Sequence, residues 1–484
     1  MIDNQVAIKE DKHLLFRKDD DFVYYSPDIK VNDNVSVNCS DQDSSGSNDS
    51  IASSDLSKDE TLGIYYGKKR FLIILLGMIQ ILCVSGIVFG WSPLEQIMVQ
   101  QKAFIYLCEP NQPSCEKQSL RLNLVYLVGS FTSTGSAFIS GSFFDRYGPK
   151  LTNLCSFTIM ILGCVLWEIA YKFENNLYIL SFALIGIGGP ASQVSLLHLN
   201  NLFPKYKDGI STAFSGMFVG SSFVFKLFNI IGSKYNISIS YIFLVYAAIL
   251  SVVFIPSILL MRNKPFLPIE DLLMAQKKQQ SNDTESNNEK SIEVEETVKE
   301  KPLLKQLLSW QFILLSLFMS LNSLHEVFYL GIINTNLANH PTYINIFNYI
   351  WNGGILMVPI IGYMIQKSSI HMNSFYVNLA VTFVFVSFQN VYLWAFFFTY
   401  LSDVFGYNNY GKIMGSVSII TALVGLLEYL FVYLSFQINF VWINMSLTLV
   451  KVPLFLLTFK LWRFSQKEKQ LLENNKNKGY SSIN

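Results

Sequence analysis

The feature of this sequence that most limits its fold is a series of apolar segments, each long enough to cross a lipid bilayer. A helix needs roughly 20 mostly apolar residues to span the hydrocarbon core. Such segments lie near 71–93, 120–141, 151–171, 177–199, 209–231, 240–261, 308–333, 342–365, 374–390, 391–404, 412–435 and 438–461. They predict an all-α polytopic membrane protein, with twelve transmembrane helices in two six-helix bundles.

One boundary in this scheme falls inside a continuous apolar block. Residues 374–404 contain no charged side chain before Asp403, and the block is longer than one short span requires. We therefore divide it into two short spans at the polar pair Gln389 and Asn390.

The composition argues against several soluble classes of protein. Charged residues make up 15% of the chain and hydrophobic residues 51%, whereas soluble domains carry roughly 25% charged residues. The net charge of +1 gives no reason to expect a nucleic-acid partner. The sequence also lacks catalytic motifs of the G-x-S-x-G or His-Glu-x-x-His kind and clusters typical of metal sites. We expect neither an enzyme nor a bound cofactor or metal.

The polar segments predict the domain organisation. Lysine and arginine are concentrated in one set of short loops, which the positive-inside rule assigns to the cytoplasm together with both termini. We expect an integral protein of the plasma membrane without a cleavable signal peptide. The predicted parts are a disordered cytoplasmic tail at 1–67, a six-helix bundle at 68–262, a charged cytoplasmic linker at 263–305, a second bundle at 306–462 and a cytoplasmic tail at 463–484.

Two cysteines fall in the first loop on the opposite side, in the sequence LCEPNQPSC. Cys108 and Cys115 would face the oxidising side of the membrane, where disulfides persist. A bridge between them is the expectation, and two unpaired loop cysteines are the alternative.

The loop between spans two and three carries the pattern Gly141-Ser-Phe-Phe-Asp145-Arg146-Tyr-Gly148-Pro-Lys150. It resembles the G-x-x-x-D-R-x-G-[RK]-[RK] signature of the major facilitator superfamily, with Pro149 in place of one basic residue. The resemblance implies two pseudo-symmetric six-helix bundles. It also implies that Asp145 faces the start of the eleventh helix near Gly411 and favours the outward-open state, while Arg146 and Lys150 hold the loop at the membrane surface. The alternative is an ordinary Asp-Arg-Gly turn anchored by positive charge.

An internal echo supports two halves of common origin. The segment from Asn201 to Gly209 aligns with the segment from Asp403 to Gly411. The same offset places Lys226 opposite Glu428, and both lie deep in predicted spans. Three interpretations stay open: the two pair with each other as a gate, one of them binds substrate, or each pairs locally and stabilises its own bundle.

A narrower resemblance comes from span one, Gly86-Ile-Val-Phe-Gly-Trp91-Ser92-Pro-Leu94. It is similar to a turn of the sodium-independent L-type amino-acid carriers and of the related apicomplexan amino-acid transporters. The resemblance implies an amino-acid substrate and a cavity lined by spans one, four, seven and ten.

Candidate substrate-binding residues follow from breaks and polar faces in three of those spans. Glycine and proline weaken span one near Trp91 and Ser92 and are expected to interrupt span four near Ser192 and Gln193. In span seven, helical spacing places Asn322, Glu326 and Tyr329 on one face. Small residues such as those at 130–136 have a simpler explanation, since they permit close helix packing.

These observations predict a transporter that works by alternating access, most simply a monomeric, sodium-independent facilitative carrier of amino acids in the lipid bilayer. Intramembrane glutamates would suit cationic substrates such as arginine, whereas aromatic spans would equally suit bulky neutral ones. The alternative is a superfamily carrier for a sugar, an organic anion or a drug, with protons coupled through His198 or His325.

Overall fold

The structure is a computed structural model in which secondary structure is described for residues 69–110, 112, 114–173, 175–203, 206–266, 298, 301–338, 341–352, 383–405, 410–454, 460 and 463. Within these ranges the regular structure is helical, and they contain no strand. The predicted terminal tails, most of the charged linker, the second half of span eight and most of span nine lie outside the described residues.

The helices follow the predicted spans closely. They are α1 (Lys69–Val84), α2 (Trp91–Gln100), α3 (Glu116–Lys172), α4 (Leu177–Leu196), α5 (Lys207–Gly220), α6 (Phe223–Tyr235), α7 (Ile239–Leu260), α8 (Leu303–Leu307), α9 (Trp310–Asn336), α10 (Pro341–Asn352), α11 (Phe383–Phe405), α12 (Tyr410–Gly425), α13 (Leu427–Gln437) and α14 (Phe440–Lys451). Among the described residues, six helices are long and apolar enough to cross a membrane, or seven when a bent pair is counted as one span.

Helix α3 contains two of the predicted spans. It is 57 residues long and is interrupted at Gly148, whose φ of 80° and ψ of 175° are not helical. A positive φ of this size favours glycine because it has no Cβ to clash with the backbone. A Cβ at Gly148 would also collide with the carbonyl oxygen of Asn263. The interruption therefore lies between predicted spans two and three.

The predicted break in span one is present. A 3₁₀ turn at Ile87–Gly90 separates α1 from α2, and the chain bends by 43° there. The backbone N–H of Gly86 donates to Ser221 Oγ over 2.6 Å, and a Cβ at Gly90 would collide with the carbonyl oxygen of Ser222. Span one thus packs its break against the break between α5 and α6.

The expected interruption of span four is wrong. Helix α4 continues through Pro190 to Leu196. The glycines before the proline serve helix packing instead: a Cβ at Gly186 would lie 2.6 Å from the carbonyl oxygen of Gly129, and one at Gly188 would lie 3.0 Å from Met160 Cβ.

The division at Gln389 and Asn390 is also wrong, because α11 runs unbroken from Phe383 to Phe405. Both amides face protein rather than ending a helix. Gln389 Nε2 donates to Asn322 Oδ1 over 3.1 Å, and Asn390 is buried. A polar pair inside a span can therefore mark a contact between helices instead of a boundary.

The chain divides into two compact units. The smaller takes Met1–Leu75, His198–Lys207 and Pro265–Glu293; in its described part, the Arg70 guanidinium lies 4.4 Å from the centre of the Phe203 ring. The larger takes Leu76–Leu197, Asp208–Lys264 and Val294–Asn484. Its core includes stacked rings of Trp167 and Phe243, whose centroids are 4.4 Å apart.

Candidate functional site

A cavity in the larger unit lies between helices from the two halves of the chain. Its empty volume, including the part open to solvent, is about 410 Å³. The first half contributes Phe89, Ser133, Thr134, Ala137, Pro190, Gln193, Val194, Leu197 and Phe218, and the second half contributes Trp394, Phe397, Phe398, Met414 and Ser418.

Two buried hydrogen-bond donors in the cavity lining lack a partner. Gln193 is 4% exposed and Trp394 is 9% exposed. Among the described residues, neither the Gln193 amide nitrogen nor the Trp394 indole nitrogen has an acceptor. A buried donor without an acceptor costs about 1–3 kcal/mol. Both groups are therefore suited to an acceptor on a bound solute.

Aromatic rings form much of the rest of the lining. The rings of Phe218 and Trp394, from opposite halves, have centroids 5.2 Å apart, and Phe89 lies 5.7 Å from Phe218. The described lining contains no charged side chain. It offers flat apolar surfaces, a few hydroxyls and the two donors, which suits a solute without net charge.

Of the sequence-predicted substrate residues, only Gln193 lines this cavity. Its neighbour Ser192 is fully buried in a polar network instead. Gln80 Nε2 donates to Ser192 Oγ and to Asn153 Oδ1, each over 2.6 Å, and Asn153 Nδ2 donates to Ser257 Oγ over 3.2 Å. This network connects spans one, three, four and six.

The span-one candidates lie in contacts rather than in the cavity lining. Trp91 is fully buried and stacks on Tyr126 with ring centroids 5.5 Å apart. Ser92 Oγ donates to Asn334 Oδ1 over 2.7 Å. The amide nitrogen of Asn334 donates in turn to the Ser92 carbonyl oxygen over 2.7 Å and to Glu95 Oε2 over 2.8 Å. These bonds join the first half of the chain to the second.

The span-seven candidates reach different neighbours. Asn322 accepts the bond from Gln389 in α11, Glu326 interacts electrostatically with Lys451 in span twelve, and the Tyr329 ring lies 5.6 Å from that of Phe347 in span eight. Their common helical face therefore does not bring them together in the cavity.

Lys226 and Glu428 each contact the opposite half, but the structure does not pair them with each other. Lys226 Nζ donates to Asn345 Oδ1 over 3.1 Å and lies 4.8 Å from the centre of the Tyr349 ring. Glu428 Oε1 accepts from Asn123 Nδ2 over 2.9 Å. Both cross-half contacts join an ionisable side chain to an asparagine, so neither is an ion pair.

The Asp145 loop lies against the start of α12. A Cβ built on Gly141 would lie 2.6 Å from the Gly411 carbonyl oxygen, and one built on Gly411 would lie 3.0 Å from Asp145 Oδ1. Asp145 also interacts electrostatically with Lys412. The Arg146 guanidinium lies 5.3 Å from the centre of the Tyr147 ring, and Lys150 is half-buried. The carboxylate therefore faces the helix start that the resemblance indicated, although its part in gating stays a prediction.

Just before the start of α3, Cys108 and Cys115 form a disulfide with Cα atoms 5.6 Å apart. We call this the disulfide end of the protein, and the end with Asp145 the motif end. Asn123 lies two turns into α3, so the contact of Glu428 with it belongs to the disulfide end.

Several residues of these contacts were missed from sequence. Trp394, Phe218 and Ser418 were passed over because aromatic and small residues are common throughout the spans. Asn123, Asn334 and Asn345 were not predicted because they are neutral and lie neither beside a predicted helix break nor on the polar face of span seven. An amide inside a span is also costly to leave unpaired, and this signal could have identified all three asparagines.

Known proteins resemble parts of this chain. It is 27% identical over 173 residues to the equilibrative nucleobase transporter 1 of Bos taurus, covering 34% of this chain and 35% of that protein. It is 22% identical over 173 residues to the large neutral amino acids transporter small subunit 3 of Homo sapiens, covering 33% and 31%. It is 22% identical over 150 residues to the arginine transporter 1 of Toxoplasma gondii, covering 29% and 28%. The matched part is thus about a third of each relative's length.

A family model described as the Major Facilitator Superfamily matches residues 117–465 of the 484 in the chain. The match includes the Asp145 loop, the cavity helices α4 and α11 and the cross-half contacts of Lys226 and Glu428. The chain is therefore an all-α, polytopic integral membrane transporter that belongs to the Major Facilitator Superfamily.

Proposed function

We propose that this protein carries an amino acid without net charge by alternating access. The observation that carries the proposal is the uncharged cavity between the two halves, where the donors of Gln193 and Trp394 lack acceptors among the described residues. An amino-acid carboxylate or a carbonyl group would supply acceptors to both. The aromatic walls would hold an apolar side chain.

The cavity favours a neutral amino acid over a cationic one. A guanidinium or ammonium side chain needs a carboxylate, and the described lining contains none. Glu326 and Glu428 lie in other contacts. A large neutral amino acid also agrees with the name of the human relative. The similarity to the Toxoplasma arginine transporter makes a cationic amino acid the competing substrate in an uptake test.

Further parts of the proposal concern energetics and location. We infer that both termini lie in the cytoplasm, because basic residues are concentrated in one set of loops. We also infer sodium-independent transport by a monomer in the plasma membrane. Replacing external sodium by choline should leave initial uptake rates unchanged. A large loss on replacement would contradict sodium independence without affecting the choice of substrate.

Uptake of labelled solutes into proteoliposomes tests the substrate. Leucine or phenylalanine should enter faster than arginine. Gln193→Leu should lower uptake roughly tenfold, which corresponds to one lost hydrogen bond of about 1.4 kcal/mol. Trp394→Phe should lower it through loss of the indole N–H, whereas Trp310→Phe, at a residue 66% exposed, is the matched control. Equal uptake by all three variants and the unmodified protein would place the substrate elsewhere.

A nucleobase is the second candidate substrate. The parallel with the bovine nucleobase transporter has a structural counterpart, since the aromatic side chains Phe218 and Trp394 line the cavity and offer apolar surface to a flat uncharged ring. Nucleobase carbonyls would also accept from the two free donors. Two uptake measurements decide between the candidates. If the substrate is an amino acid, unlabelled adenine or uracil should leave the uptake of labelled leucine unchanged. If the substrate is a nucleobase, labelled adenine or uracil should be taken up faster than labelled leucine.

A further inference from the structure

Glu428 is a fully buried carboxylate whose direct hydrogen-bond partner is a neutral amide. It is 0% exposed. Its Oε1 accepts from Asn123 Nδ2 over 2.9 Å, and its Oε2 has no partner among the described residues. An ionised carboxylate removed from water costs several kcal/mol unless a cation compensates it.

Among the described residues, the ionisable groups around this carboxylate do not supply that cation. Tyr126 in span two interacts electrostatically with both Glu428 and Glu326, so both carboxyl groups lie near its hydroxyl. The cation in this region, Lys451 of span twelve, acts on Glu326. His325 of span seven faces Lys451 and bonds through Nε2 to Asn444 Oδ1 over 2.7 Å. The compensated carboxylate is therefore Glu326.

The space between Gly331 and the Glu428–Asn123 pair is too small for a solute. A methyl group added at Gly331 in span seven would lie 2.5 Å from Glu428 Oε1 and 2.7 Å from Asn123 Nδ2. Both distances are well below ordinary carbon contacts. A transported amino acid cannot enter this contact, whereas a proton needs no additional volume.

The asparagine is suited to a protonated carboxyl group. Its amide nitrogen already donates to Glu428, and its Oδ1 has no donor among the described residues. Protonation would convert Glu428 Oε2 from an acceptor into a donor. The protonated Oε2 of Glu428 could then donate to Asn123 Oδ1, while Asn123 Nδ2 donates to Glu428 Oε1. A single proton would thus give both of the remaining oxygens a hydrogen bond.

We propose that Glu428 is a proton-binding site, and that its protonated form, paired with Asn123, holds the disulfide end of the carrier closed. The proton comes from water at the disulfide end and forms an O–H bond at Oε2. When the halves separate there, the carboxyl group is hydrated and the proton returns to water. The proposal deepens the proposed carrier function, because it makes the opening of the transport path depend on pH.

The equivalent contact in the other half differs in charge. Lys226 reaches Asn345 and the face of Tyr349, and Asn345 is exposed. A cation that is already protonated and next to a solvent-exposed amide needs no further proton to make its bond. Of the two cross-half contacts, the one at Glu428 therefore depends on pH, and the one at Lys226 does not need an additional proton.

Thermal unfolding in lipid nanodiscs tests the site without any solute. If folded Glu428 keeps its proton while the unfolded chain loses it, the folded state binds more protons and stability falls as pH rises. We expect the unfolding temperature of the unmodified protein to fall between about pH 5 and about pH 8. Glu428→Gln should make this fall smaller, because glutamine is neutral and can both donate to and accept from Asn123. A part of the fall should remain, because Glu95 is a second buried carboxyl group whose partner is a neutral amide.

Glu168→Gln is the matched control, since Glu168 forms an ion pair over 2.5 Å with Lys172, one helical turn later in α3. It should keep the pH dependence of the unmodified protein. An equal fall in Glu428→Gln and in the unmodified protein would overturn the proposal. If Glu428→Gln does not fold, infrared difference spectra of the unmodified protein decide: a carbonyl band of a buried protonated carboxyl group at neutral pH supports the site, and its absence refutes it.

Transport supplies the functional readout. Initial uptake by the unmodified protein should rise with pH, by up to about tenfold per pH unit, the limit for one proton. Glu428→Gln should give low uptake that is independent of pH. Unfolding and infrared measurements need no substrate, so failure to transport any amino acid would remove the proposed function and leave the proton site standing. Uptake by Glu428→Gln with the same pH dependence as the unmodified protein would support the carrier function and contradict the proton site.

Discussion

Gly141 and Gly411 meet backbone to backbone at the motif end, so that a Cβ built on Gly141 would lie 2.6 Å from the carbonyl oxygen of Gly411. One residue belongs to the first half of the chain and the other to the second. Because neither has a side chain, Asp145 can approach the start of α12. The two glycines therefore set how closely the halves pack at this end.

Gly141→Val should weaken this contact. The added side chain must push α12 away, and overpacking of this kind costs about 1–3 kcal/mol. We expect a lower unfolding temperature and slower uptake, measured in the same preparation. Gly209→Ala is the control, since a Cβ there has no atom within 4 Å. Equal effects of the two substitutions would show that the close approach is not required.

Asn334→Ala should destabilise the contact near span one. The substitution removes three hydrogen bonds to Ser92 and Glu95 and leaves the buried Glu95 carboxylate without an amide donor. Loss of a partner to a buried charged group costs about 1–3 kcal/mol or more. Unfolding by denaturant should show the loss, whereas Asn336→Ala, at an exposed position of the same helix, should change stability little. An equal change in stability for both variants would mean that the Asn334 hydrogen bonds make no net contribution to the free energy of unfolding.

Removing the disulfide should lower stability by an amount set by loop length. Cys108 and Cys115 are separated by 7 in sequence, and the chain-entropy relation gives about 2.5 kcal/mol for so short a loop. The double variant Cys108→Ser/Cys115→Ser should therefore unfold at lower temperature than Cys155→Ser, which removes a free cysteine. Reductant should lower the unfolding temperature of the unmodified protein but not of the double variant. A reductant effect of equal size in both would exclude this bridge as its cause.

Gly148→Ala should destabilise the turn between spans two and three. Its φ of 80° is strained for a residue with a Cβ, at a cost of order 1–3 kcal/mol, and the new methyl group would meet the carbonyl of Asn263. Thermal unfolding should show a clear loss. The exposed neighbour Ser142→Ala should leave the unfolding temperature nearly unchanged, and a neutral Gly148→Ala would mean that the turn can adopt another conformation.

Much of the architecture could be predicted from local sequence. Apolar length placed spans such as α7 and α9 because a bilayer-crossing helix must satisfy its backbone internally and present apolar side chains. The Gly86–Gly90 break was predicted because glycines weaken a helix wherever they occur. The same local rule failed at Pro190 and at Gln389, where neighbouring helices stabilise a continuous helix through close glycine packing and an amide hydrogen bond.

The sequence by itself determined that this chain is an all-α membrane protein of the superfamily, since length, hydropathy and the Asp145 motif are local properties. The tertiary structure decided which polar groups meet. Gln193 reaches the cavity while Ser192, one residue earlier, is enclosed in a helix contact, and Glu428 meets Asn123 instead of Lys226. The physical reason is that a partner depends on how helices far apart in sequence cross and rotate, and residue spacing within one helix does not contain that information.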